Sequence, residues 1–247
     1  MRSLVRKSFI RILSVILIPI LLLCFLPMFT SADAPKFSYA DAQDARLRAL
    51  DCMMTCTFTQ EWDSSGGTNT PNPLHRWETT IKICVTGSPS ADDLQQLNAF
   101  IMEVATHCPN MPNIRIVYDE RDANVTLYYG PLSTLSQHVD FYHEGNWGAF
   151  SYNYTDQRIT KGKVGIATDV NTKASKRHLL REELVGVFGL CNDHYDYSDS
   201  ILYQNWTTVP QLSEVDWLML NMLYDRDLSC GMSASTAYSI LYDKIMR

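Results

Sequence analysis

The sequence predicts an α/β (α+β) domain in which a mixed, mostly parallel sheet with one antiparallel edge strand packs against helices. Three observations predict it. Residues 77–85 (WETTIKICV) alternate with period two and are β-branched, as a strand requires. A capped amphipathic helix and a second strand-like run follow, and strand, helix, strand in that order implies a parallel pair, because parallel neighbours need a crossover connection. Further short β-branched and aromatic runs then precede several helical patterns, leaving room for an antiparallel edge.

The elements follow in order. Residues 1–11 (MRSLVRKSFIR) are a basic lead-in to an apolar run ending at Phe29, and Thr30, Ser31 and Ala32 form a small-residue cleavage site before Asp33. Residues 1–32 are therefore expected to be a signal peptide. An uncleaved anchor is the alternative, since about eighteen apolar residues nearly span a bilayer. Residues 33–75 read as a linker or N-terminal extension, with a short helical or irregular segment and a turn-rich tract at 64–73 (SSGGTNTPNP). The domain proper is expected over 76–247. After the strand at 77–85, Ser90 is a candidate N-cap for a helix to about 105, with apolar residues at 94, 97, 101 and 104. Strands are predicted at 113–119, 124–130, 147–153 and 163–168. Helices are predicted at 173–188, at 212–224 behind a Ser213 cap, and at 233–246.

Composition narrows the function. The formal net charge is −6, and loss of residues 1–32 removes four basic residues and no acidic ones, giving about −10. Such a balance argues against nucleic acid and anionic lipid as partners. Cys52, Cys56, Cys84, Cys108, Cys191 and Cys230 remain after the leader, and an even count in an exported chain predicts disulfides. A metal or redox role for Cys52 and Cys56 is the rival reading, weakened by their spacing and by the lack of a histidine nearby in sequence. Asn124, Asn153 and Asn205 begin N-x-T sequons, which matter only in a eukaryotic secretory pathway. There is no Gly-rich phosphate loop and no G-x-S-x-G elbow.

The chemistry centres on residues 177–193 (RHLLREELVGVFGLCND). A zinc protease carries H-E-x-x-H-x-x-G-x-x-H across a helix and the turn after it. Here Glu183 falls at the general base and Gly189 at the glycine, while Glu182, Gly186 and Asn192 occupy the three histidine positions. Moving the register back one turn puts His178 and Glu182 on one helix face, with Asp193 or His194 as a third group, but Leu179 then stands where the base belongs. Hydrolysis needs both a metal to acidify water and a base to take its proton. Each register supplies one half.

The phrases at 182–192 (EELVGVFGLCN), 200–203 (SILY), 212–216 (LSEVD) and 223–224 (LY) resemble the metzincin branch of the zincin-like metalloproteases. More closely, Glu182-Glu183-Leu184, Gly189-Leu190 with Asn192-Asp193, Asp199-Ser200-Ile201, Leu223-Tyr224-Asp225 and Gly231-Met232 resemble an uncharacterised family of bacterial secreted proteins, domain of unknown function 2927. The resemblance covers about residues 76–235. It implies a zincin-like sheet with the 173–188 helix against it, and Leu202 in place of the methionine that lies beneath the metal.

Taken together, these readings predict a secreted or cell-surface protein that lacks the standard zinc triad and binds a polypeptide or cell-envelope component without cleaving it. No cofactor and no metal are expected. The binding residues are expected to be Glu182, Asn192, Asp193, Tyr195 and Tyr203, with Glu183 at the position of a catalytic base. One alternative is a zinc-dependent metallopeptidase using His178, Glu182, Asp193 and His194; the other is a structural envelope protein with a vestigial cleft. Taken alone, His178 reads first as a solvated residue of the first helical turn, and Gly186 as a site of close packing. His107, His138, His143 and Glu144 are weaker metal candidates. The aromatic tract 195–206, with Tyr142 and Trp147, offers flat faces suited to peptide or sugar, or else to core packing.

Overall fold

Each period-two segment of the sequence becomes a strand of one sheet. The structure is a computed structural model that describes residues 39–60 and 70–247. The predicted leader at 1–32 lies outside the described residues, as does most of the turn-rich tract. Two short strands, β1 (Thr59–Gln60) and β2 (Thr70–Pro71), form an antiparallel ribbon. The main strands are β3 (Ile81–Gly87), β4 (Ile114–Val117), β5 (Val125–Gly130), β6 (Gly148–Thr155) and β7 (Arg158–Ala167). Their order across the sheet is β4-β3-β5-β7-β6. The β3–β4, β3–β5 and β5–β7 pairs are parallel and β6–β7 is antiparallel. The predicted mixed sheet with one antiparallel edge is what forms.

The antiparallel edge follows from a tight turn. Asp156 and Gln157 both take positive φ, 50° and 63°, the backbone that closes a two-residue hairpin matched to strand twist. Strand β7 accordingly starts at Arg158, earlier than the sequence pattern indicates. Strand β3 starts later than predicted, at Ile81, because Trp77 is recruited elsewhere. Its indole Nε1 donates to the Val187 carbonyl at 3.0 Å, and Tyr224 Oη donates to the Phe188 carbonyl at 2.9 Å. These bonds satisfy carbonyls that the end of a helix leaves open.

The helices are α1 (Tyr39–Phe58), α2 (Ala91–His107), α3 (Lys173–Phe188), α4 (Glu214–Leu223) and α5 (Ala234–Ile245). Reciprocal capping boxes start two of them, Ser90 with Asp93 at α2 and Ser213 with Asp216 at α4. Helix α3 ends at Gly189, whose φ is +120° and whose hydrogen faces the His75 carbonyl where a Cβ would lie 2.5 Å away. Only glycine fits there without strain. Helix α1 corrects the linker reading: it is twenty residues long and buries Ala49, Leu50, Cys52, Met53, Cys56 and Phe58 against α4 and α5. Counted as apolar, its cysteines complete the helical stripe at 49, 50, 53 and 56.

The cysteine expectation also needs correction. All six cysteines of the described residues are free, five of them buried, so no disulfide framework is present among them. The five buried ones lie in the core as small side chains. Among the described residues no helix is long and apolar enough to cross a membrane.

Candidate functional site

Helix α3 is buried on most of its circumference, which decides the fate of the protease-like residues on it. It packs on β6 and β7 on one side and on α2 on another. Three basic residues that would normally seek water are paired instead with acids of α2. Lys176 bonds Asp93 at 2.8 Å, Arg177 bonds Asp92 at 2.7 Å, and Arg181, only 2 % exposed, reaches Glu103 at 3.2 Å. Arg181 also lies over the Phe100 ring, 5.4 Å from its centroid.

The positions of the missing histidines are used structurally. Gly186 faces the Phe150 ring of β6 so closely that a Cβ would meet its carbons at 2.4 to 2.7 Å. A ring from the edge strand occupies the space a second ligand side chain would need. Asn192 is buried and points away toward the end of α1: its Nδ2 donates to Thr59 Oγ1, its backbone N–H to the Cys56 carbonyl. Glu183 is buried and presses its Oε1 toward Gly148 of β6, where a Cβ would lie 2.4 Å from it. Leu202 is 2 % exposed within the core. The residues at these positions do not fit a zinc ion held as in a protease, because one offers no donor, one is turned away and the place between them is filled.

His178 also departs from the expectation of a solvated residue. It is 3 % exposed rather than solvated, since the 203–210 segment covers it. Its Nδ1 lies 2.9 Å from the Val209 carbonyl and its Nε2 3.3 Å from Glu182 Oε2. Burial alone lowers an imidazole pKa, but the Glu182 carboxylate and the Val209 carbonyl outweigh it, and the His178 pKa is raised above 6.5. The Trp206 ring stands edge-on to His178 at 6.1 Å, and Trp147 stands edge-on to Trp206 at 5.3 Å. Trp147 and Trp206 are 39 % and 58 % exposed. Two accessible indoles, Trp206 directly and Trp147 through it, thus stand beside the buried His178 and the partly buried Glu182 where β6 begins.

His194 belongs to a different neighbourhood. Its Nδ1 accepts the Asp196 N–H at 3.2 Å and its Nε2 lies 3.0 Å from Ser200 Oγ. Ser200 Oγ in turn donates to Asp216 Oδ1 at 2.5 Å. The other oxygen of Asp216 accepts from the backbone of Ile201 at 2.9 Å and of Ser213 at 2.7 Å. With the hydroxyl proton committed to Asp216, Nε2 must carry the imidazole hydrogen. His194 is neutral, its pKa lowered by burial against the opposing pull of Asp216 and Asp196. Histidine, serine and aspartate here share the residue types of a hydrolase triad but not its order, because the serine sits in the middle and is 0 % exposed.

The remaining candidates disperse. Tyr195 is 69 % exposed, and Tyr203 Oη accepts from Asn205 Nδ2 at 3.0 Å. His107 stacks on Trp217 and His138 on Tyr128. Among the described residues a single group of three metal-ligating side chains has its donor atoms within 4.8 Å of one another: Cys52, His194 and Asp196. The set His178, Glu182, Asp193 and His194 is not brought together in that way. Cys52 and Asp196 have no signal in sequence, since they lie 144 positions apart and meet through the packing of α1.

A family model described as Protein of unknown function (DUF2927) matches residues 50–243. The chain belongs to the DUF2927 family. Among solved structures, one titled "Structure of Myroilysin" is similar over 62 % of this DUF2927 chain and 83 % of that one, at 12 % identity and a TM-score of 0.39. No curated protein matches it. The DUF2927 match includes the second half of α1, so the helix read from sequence as part of a linker enters the family region at Leu50.

Proposed function

We propose that this DUF2927 protein is an extracellular or surface-bound module that holds an extended polypeptide along β6 and does not cleave it. The observation that carries the reading is the Trp147–Trp206 pair beside His178 and Glu182. Accessible indoles are the side chains that most often anchor a bound chain. β6 is the last strand of its sheet, so one row of its backbone groups is available to an added strand. A peptide backbone can pair with that row, which favours a polypeptide over an envelope saccharide. The resemblance to zincin-like proteases supports a cleft on this side of α3, and the plugged position at Gly186 supports loss of the metal chemistry. Among the described residues no third metal-ligating side chain groups with His178 and Glu182, as a peptidase using them would need.

The test is binding of reduced, carboxymethylated casein, followed by tryptophan fluorescence. Trp206→Ala and Trp147→Ala are each expected to weaken binding about tenfold or more, the scale of an aromatic anchor. Unchanged affinity in both variants overturns the assignment of the surface. Shortening of the casein overturns the non-catalytic reading.

A further inference from the structure

We propose that Cys52, His194 and Asp196 form a zinc site that fastens α1 to the turn following α3. It lies apart from the protease-like positions of α3 and does not rest on the function proposed above. Thiolate, imidazole and carboxylate together suit a borderline ion such as zinc and do not suit calcium or magnesium, which take oxygen ligands. Three protein ligands leave the fourth tetrahedral position to water.

The geometry is close to complete. Donor atoms about 2.0–2.3 Å from a tetrahedral zinc stand roughly 3.3–3.8 Å from one another. Cys52 Sγ and Asp196 Oδ2 are already 3.7 Å apart, and the His194 nitrogen lies within 4.8 Å of both. Cys52 and His194 are 2 % and 3 % exposed, while Asp196 opens toward solvent and provides the route of entry.

The support behind the histidine is of the kind that fixes a metal-binding imidazole. Nε2–H is held by Ser200 Oγ, which is held by the buried Asp216, so the hydrogen is kept on Nε2 and the lone pair on Nδ1. That lone pair accepts only the long 3.2 Å bond from the Asp196 N–H, which the ion replaces. Zinc binding displaces the Cys52 thiol proton to solvent and leaves the metal bound to sulfur. The ligands come from α1 and from residues 194–196, so binding adds directly to the stability of the fold.

The experiment titrates the chelator-treated full-length protein with Co²⁺, then with Zn²⁺. Expected are one Co²⁺ per chain, a thiolate-to-cobalt charge-transfer band in the near ultraviolet, and displacement by one equivalent of Zn²⁺. Cys52→Ala should abolish the band, Asp196→Asn should weaken binding at least tenfold, and Glu182→Gln should change neither. As a measurement independent of any variant, Zn²⁺ should slow alkylation of Cys52 by iodoacetamide at least tenfold, read by peptide mass spectrometry. Absence of the band, its persistence in Cys52→Ala, equal weakening by Glu182→Gln, or an unchanged alkylation rate overturns the proposal.

Discussion

Replacing Gly186 by alanine tests whether the second ligand position of α3 is filled by Phe150. In an unobstructed helix interior the change stabilises by about 1 kcal/mol. Here the new Cβ meets three carbons of the Phe150 ring at 2.4, 2.6 and 2.7 Å, far inside the roughly 3.5–4.0 Å of a carbon contact. Overpacking of this kind costs about 1–3 kcal/mol, and the half-buried ring relieves part of it by turning outward. The net expectation is a loss of about 1 kcal/mol, or roughly 2–4 °C in Tm for a domain of this size. In a Phe150→Ala background the clash is gone, and the same substitution should gain about 1 kcal/mol. Urea denaturation of the four proteins of this cycle gives a predicted coupling of about 2 kcal/mol between the sites. Stabilisation by Gly186→Ala in the natural background, with no coupling to Phe150, would show that the Phe150 ring does not fill this position.

Three further predictions concern other parts of the molecule. Asp216→Ala leaves the Ile201 and Ser213 N–H groups and two hydroxyls without their acceptor, so urea denaturation should show a loss of about 3–5 kcal/mol. The raised pKa of His178 means that the folded state holds its proton more tightly than the unfolded chain. That stabilisation is complete below pH 6.5 and is lost as pH rises through the folded value. His194, lowered by burial, acts in the opposite sense; the readout is therefore the stability difference between the natural protein and Glu182→Gln, which should shrink on going from pH 6 to alkaline pH. Because the six cysteines are free, reductant should leave Tm unchanged, whereas breaking a native disulfide typically costs about 2–5 kcal/mol.

Much of the fold was legible because local rules and packing agree. Ser90 and Ser213 each stand three residues before an aspartate and start α2 and α4 as capping boxes. The α3 boundaries follow from its pattern and from Gly189. Helix α1 is longer than the short helical or irregular segment expected before residue 75, because with Cys52 and Cys56 counted toward disulfides its buried stripe at 49, 50, 53 and 56 looks incomplete. His178 was misjudged because Lys176, Arg177 and Arg181 suggest a solvated turn; each is in fact neutralised by an acid of α2 roughly eighty positions earlier. Close packing at Gly186 was readable from a glycine inside a helix, but its partner was not. Nothing local to Cys52 indicates His194 or Asp196, because their meeting is a product of α1 docking beside the turn that follows α3.

The decisive property proposed for this protein is that it holds polypeptide without cutting it. Mass spectrometry of carboxymethylated casein after long incubation with the zinc-supplemented protein, alongside Glu183→Gln, is the most direct measurement. Intact casein with both proteins, bound in a manner that depends on Trp206, is the predicted result. Fragments that form with the natural protein and vanish with Glu183→Gln contradict it.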